Sequence, residues 1–167
     1  ATEESKWGYV RIARITITIA QLHGRVLAGD RLTVNNFMAM ARNLLGIIDL
    51  AGTGDYLRRY EMSNFKPHAL AHLLYVADLH GREVVVALWN YYEQRWNDLP
   101  INLSQEWYHV LSMALRIDAI SHRAIERINQ IESIVEQTTY SGQLPSSLLD
   151  LAELMIKADL KDEAQRI

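Results

Sequence analysis

The chain has 167 residues, 49% of them hydrophobic, and a formal net charge of −3; that is enough apolar content for one ordinary domain with a substantial core, far from the disordered class. The absence of cysteine excludes disulfides and thiolate metal sites. Mild overall acidity means that any contact with a polyanion must come from a local basic surface, because the global field does not attract one.

No apolar run reaches membrane-spanning length and the opening residues carry no signal-peptide pattern, so a soluble chain without a membrane span is expected. The first predicted helix, about Ser5 to Ala28, contains the most distinctive stretch. Lys6 to Ala28 carries four basic residues and no acidic one, whereas Asp150 to Glu163 is mostly acidic, an asymmetry that permits head-to-tail attraction between copies. In a helix, Arg11, Arg14, Thr18, Gln21 and Arg25 fall at steps of three, four, three and four and form one continuous polar stripe. Guanidinium groups bond phosphate oxygens in a bidentate way, and Thr and Gln add neutral contacts, so the stripe suits a nucleic-acid backbone. The rest of the helix, with Ile12, Ile15, Ile17, Ile19, Leu22, Val26 and Leu27, is almost wholly apolar and calls for protein on most sides.

Two other readings compete with this one. Surface helices are routinely polar on one side, which would make the stripe a solvated face. Arg14 to Ala20 (RITITIA) also alternates and is β-branched, the pattern of a half-exposed strand that would separate the five residues. Helical spacing covers the longer window, and a helix is expected. Gly24 inside it marks a bend or a close backbone approach, and Gly29-Asp30 supplies the stop.

The second helix is predicted over about Thr33 to Leu50, capped by Thr33 and burying Phe37, Ala41, Leu44 and Ile48. The GTGD that follows lacks the Lys-Ser/Thr of a phosphate loop and follows no strand. Tyr56 to Lys66 reads as a connector with a basic pair, Arg58 and Arg59. Pro67 then takes the first position of a third helix reaching about Asn97, with a break at His80-Gly81. Leu22-His23-Gly24-Arg25 recurs as Leu79-His80-Gly81-Arg82, an identity too short to signal a duplication. The aromatic-rich window Leu88 to Trp96 reads as packing anchors rather than a stacking platform for single strands.

Asn102 and Gln105 form a capping pair for the longest predicted helix, about Ser104 to Thr138. Trp107, Val110, Ala114, Ile117, Ser121, Ala124, Ile128, Ile131 and Val135 follow the three-four spacing of a coiled-coil seam. Such a helix spans roughly 50 Å, against an expected radius of gyration near roughly 15 Å, so part of its apolar face is expected to meet another subunit. Arg116, Arg123 and Arg127 give it a second basic row. Ser141-Gly142 makes a turn, and a last helix runs to about Ala164 with Ser147 and Asp150 as a capping pair. The expected fold is one all-α domain over residues 1–167 with about five helices. It forms an extended helical hairpin or bundle completed by neighbouring subunits, its first helix able to project as an arm.

Catalytic and metal patterns are thin. His68 and His72 have the spacing of a shared metal, but Ala69 stands where HExxH needs Glu; Glu106 and His109 make a single ExxH where a di-iron bundle needs two. No Ser sits in a nucleophile elbow. No enzyme, cofactor or metal is expected.

In helix content and basic stripe, across most of its length and without a shared motif, the chain resembles the all-helical coat proteins of filamentous viruses. The likeness is greatest to those of archaea that wrap double-stranded DNA. Its net acidity departs from that group. The resemblance implies a self-assembling nucleoprotein subunit of a virion. In it Arg11, Arg14 and Arg25 clamp phosphates, Thr18 and Gln21 bond phosphate or sugar, and sequence specificity is slight. The alternative is a small cytoplasmic regulatory or adaptor protein, dimeric through the Trp107 to Val135 seam, that recognises a partner protein. A helix-turn-helix repressor suits the sequence less, since no compact three-helix unit stands out.

Overall fold

The computed structural model describes residues 3–51, 56–97, 105–138 and 145–157. These fold entirely into helices and their connections, with no strand among them. The helices are α1 (Glu3–Leu27), α2 (Val34–Ala51), α3 (Tyr56–His80), α4 (Arg82–Asn97), α5 (Gln105–Ala114), α6 (Ser121–Thr138) and α7 (Pro145–Lys157). Seven described helices replace the expected five, because two predicted helices are each divided. No described helix is long and apolar enough to cross a membrane.

The alternating RITITIA stretch is helical. Its threonines are accommodated by bonding back to the preceding turn: Thr16 Oγ1 donates to the Ile12 carbonyl at 2.9 Å and Thr18 Oγ1 to that of Arg14 at 2.8 Å. Tertiary burial of Ile15 and Ile19, continued by Leu22, then outweighs the local β preference of the isoleucines. The helix ends in a Schellman arrangement, with the Asp30 amide donating to the Arg25 carbonyl and the Gly29 amide to that of Val26. Gly29 supplies the positive φ of 79° that this turn requires. Gly24 makes no close approach: a side chain there meets open space.

Thr33 caps α2 as expected, its Oγ1 accepting from the Asn36 amide at 3.2 Å. The predicted stripe of Phe37, Ala41 and Leu44 is buried, joined by Met38 and Leu45, while the Ile48 side chain lies outside the described residues.

The connector expected over Tyr56 to Lys66 is instead the first half of α3, and Pro67 sits inside that helix rather than at its start. A proline there forgoes one ladder hydrogen bond. Burial of Pro67 with Ala69, Leu70, Leu73 and Leu74 around it is the compensating contribution. The expected break at His80-Gly81 is present: Gly81 has a φ of 153°, and its carbonyl accepts from the Val84 and Val85 amides to open α4.

The single 35-residue helix expected from Ser104 does not form. Residues Leu115 to Ile120 turn the chain between α5 and α6, with Arg116 and Ile117 closing α5 through i−3 hydrogen bonds to Met113 and Ala114. Ile117, Asp118, Ile120 and Ser121 are weak helix formers in sequence, and the turn lets both Ile117 and Ile120 be fully buried. Six of the nine seam residues, Val110, Ala114, Ile117, Ala124, Ile128 and Ile131, belong to the chain's own core, while the side chains of Trp107 and Val135 lie outside the described residues. In α7, Pro145 occupies the first turn, so Ser147 lies within the helix rather than capping it. The Asn102 cap, the GTGD loop and the Ser141-Gly142 turn fall outside the described residues.

Helix α3 is the centre of the fold, packed by α1, α2, α4 and α5, while α5, α6 and α7 pack on one another. The largest fully buried side chains are Trp89, Tyr92 and Phe37, which bears out the aromatic window as packing. Tyr92 keeps its proton, burial pushing its phenol well above the ordinary range, and donates it to the Leu70 carbonyl at 3.0 Å. Trp89 Nε1 donates to Glu93 at 2.6 Å, and Arg123 of α6 pairs with the other oxygen of the same carboxylate, joining α4 to α6.

Candidate nucleic-acid interface

Helix α1 presents three longitudinal faces. Ile15, Ile19 and Leu22, with Ile12 and Val26 at their edges, are packed into the core. Directly opposite, Val10, Ile17 and Leu27 remain 55%, 56% and 69% exposed. With Ala13, Ala20 and Gly24 between them, also exposed, they repeat at three-four spacing along the outside of the helix. Between these two faces, along one flank, runs the polar stripe. The apolar excess read from the sequence is therefore only half covered by the chain itself.

The stripe residues differ in how available they are. Arg14 and Gln21 are exposed, and Arg14 makes no ion pair among the described residues. Arg25 is exposed but engaged: its Nε donates to Asp30 Oδ2 at 2.7 Å across the end of the helix. Thr18 is half-buried and its hydroxyl proton is committed to the Arg14 carbonyl. Phosphate oxygens only accept, so Thr18 has no proton left to offer one in this arrangement. The Arg11 backbone continues the helix, and its side chain lies outside the described residues. The structure thus places Arg14, Gln21 and Arg25 on one flank, as their spacing requires.

The second basic row does not survive as a row. Arg116 sits in the turn after α5, Arg123 is taken by Glu93, and Arg127 bonds Gln130 at 3.0 Å while burial holds its guanidinium below the ordinary range. A basic aromatic patch that the sequence reading missed lies between α2 and α4. There the guanidinium carbons of Arg42 and Arg95 lie 5.6 and 5.8 Å from the Tyr91 ring centroid, and Arg42 and Tyr91 line a groove of ≈ 420 Å³ with Asn35, Asn90 and Gln94. Arg42 lies 49 residues before Tyr91, so no local pattern announces the pairing.

His68 and His72 share the exposed side of α3, but His68 packs against His109 of α5, the ring centroids 4.1 Å apart and the planes tilted by 42°. No three His, Asp or Glu among the described residues are placed to hold a metal. The Glu106 side chain lies outside the described residues.

The chain matches no known protein family, no curated protein and no solved structure.

Proposed function

We propose that this chain is a structural, self-assembling nucleoprotein subunit, coat-like in organisation, which packs against its neighbours and contacts the nucleic-acid backbone through α1. The observation that carries the reading is the pairing on one helix of an outward apolar row with a basic flank beside it. Val10, Ile17 and Leu27 lack cover within the described chain, and the row they form at three-four spacing suits a neighbouring helix. A neighbour seated there leaves Arg11, Arg14, Gln21 and Arg25 along the rim of the contact, where a phosphate backbone is held by charge with slight regard for sequence. Gln21 adds a neutral donor. Thr18 serves as a spacer that keeps the flank polar, because its proton is used locally.

The adaptor reading is less favoured, because most of the seam on which it rests is taken up by the chain's own core. Duplex DNA is the partner preferred, on the architectural resemblance to coats that wrap it. Fluorescence anisotropy of labelled duplexes of unrelated sequence, titrated with the protein over a range of salt concentrations, tests the proposal. Equal affinity for all duplexes is expected, with a log-log salt slope of about −1.8 for two phosphate contacts per subunit, from Arg11 and Arg14, while Arg25 is held by Asp30. Binding that ignores salt, or that discriminates strongly among sequences, would count against it.

A further inference from the structure

Four of the six histidines gather on one side of the molecule, where α1, α3 and α5 meet. His23 of α1 and His72 of α3 meet directly, with His72 Nε2 3.3 Å from His23 Nδ1 and the rings edge to face. His68, one turn before His72, packs against His109 with its ring tilted. A groove of ≈ 440 Å³ opens beside them, lined by His68, His72, Tyr75, His109, Ser112 and Arg116 among others. We propose that His23 and His72 form a two-histidine site for a borderline divalent transition-metal ion of the zinc, nickel or copper(II) class, open to solvent and clamping α1 to α3.

The separation of the two nitrogens is the first support. Two metal–nitrogen bonds of about 2.0–2.1 Å at a tetrahedral angle hold their nitrogens about 3.3 Å apart, the distance found here. The two imidazoles come from different helices and share one hydrogen bond, so one ring donates to the other. When the donating ring moves its proton to its other nitrogen, both facing nitrogens carry lone pairs, and an ion takes the place of the shared proton. His72 is exposed and His23 half-buried, which leaves the rings room to turn onto a common point.

The ligand type decides the class of ion. Imidazole suits zinc, nickel and copper, while calcium and magnesium need oxygen donors, and no carboxylate lines the groove among the described residues. Because no third histidine or carboxylate closes on the pair among the described residues, water fills the remaining positions and the site is labile. Arg116 also lines the groove but is exposed, so its repulsion of a cation is screened by solvent.

The test is a titration of the purified, metal-stripped protein with Zn²⁺ alone at pH 7.5, followed by calorimetry and by thermal unfolding. One ion per chain and a concentration-dependent rise in Tm are expected. His23→Gln and His72→Gln should each weaken binding by about 100-fold or more, whereas His122→Gln, on α6, should leave it unchanged. Retained affinity in His23→Gln, or loss in His68→Gln with His23→Gln intact, would overturn the assignment. Should either substitution disturb folding, the wild type still decides the matter. Substoichiometric Cu²⁺ should broaden the ring resonances of His23 and His72 before those of the other histidines, and uniform broadening would refute the site.

Discussion

Arg25 Nε donates to Asp30 Oδ2 at 2.7 Å, so the last cation of the α1 flank is held by a carboxylate five residues later, beyond the glycine turn. Both side chains remain nearly half exposed, at 47% and 43%. An ion pair in that setting contributes little to stability, about 0–1 kcal/mol, but it restrains the guanidinium and offsets its charge. Asp30→Asn should therefore change Tm very little and strengthen binding to duplex DNA several-fold. It should also steepen the log-log salt slope by about 0.9, the increment for one more phosphate contact. Anisotropy titrations at graded salt measure both quantities. An unaltered slope would mean that Arg25 takes no part in phosphate binding.

The two apolar rows make opposite predictions. Ile128 is fully buried in the core, and Ile128→Ala should cost about 2–5 kcal/mol in urea unfolding. Ile17, on the outward side of α1, has no such role within the chain. Ile17→Ser should leave urea unfolding of the isolated subunit within about 0.5 kcal/mol of wild type while weakening self-association, as read by sedimentation velocity. Unimpaired self-association in Ile17→Ser would remove α1 from the packing interface.

Glu93 joins two residues on two helices: it accepts from the Trp89 indole and pairs with Arg123. The carboxylate and guanidinium are both mostly shielded, and Trp89 is fully buried. Glu93→Ala leaves the indole N–H without this acceptor and Arg123 without this carboxylate, a loss of about 1.5–3 kcal/mol, the range for hydrogen bonds to charged groups. Urea denaturation monitored by tryptophan fluorescence reads it directly. A cost below about 0.5 kcal/mol would show that this link between α4 and α6 adds nothing net.

Two titrating groups give stability an opposite pH dependence. His72 has its pKa lowered by burial and then by His23, so the folded chain binds fewer protons there than the unfolded chain. Its contribution is whole above the ordinary histidine value and is lost as pH falls below it. Asp78 has its pKa raised by burial and then by the like charge of Asp118. Its ionised form is therefore disfavoured in the fold, and stability is gained as pH falls through the raised value. Asp78→Asn should raise Tm at pH 7, with the gain shrinking on acidification. His72→Gln should flatten the decline in Tm as pH falls below about 6.5. Tm recorded across pH for the three proteins checks both signs.

Much of this architecture is legible in the residues. Thr33, Gly29 and Gly81 act where capping and φ rules place them, and the buried stripe of α2 follows its period. What escaped was set by tertiary burial. Pro67 reads as a helix start, yet apolar neighbours on both sides keep the helix running through it. The Trp107 to Val135 heptad reads as one rod, because a turn such as Leu115 to Ile120 preserves the apolar spacing while redirecting the chain. The polar stripe of α1 was readable as a row, but the commitments of Thr18 to Arg14 and of Arg25 to Asp30 depend on hydroxyl and side-chain geometry that spacing does not carry. The meeting of His23 with His72 crosses 49 residues and leaves no local trace.

The proposed role of α1 is tested most directly by size-exclusion chromatography of native material, with absorbance recorded at 260 and 280 nm in low and high salt. Wild type and an Arg11→Glu, Arg14→Glu double variant would be compared. Wild type should elute as a very large particle with nucleic-acid-dominated absorbance. The variant should lose the nucleic acid while keeping its helical circular dichroism. A small wild-type species with protein-like absorbance in both salts, or a variant that retains nucleic acid, would contradict the account.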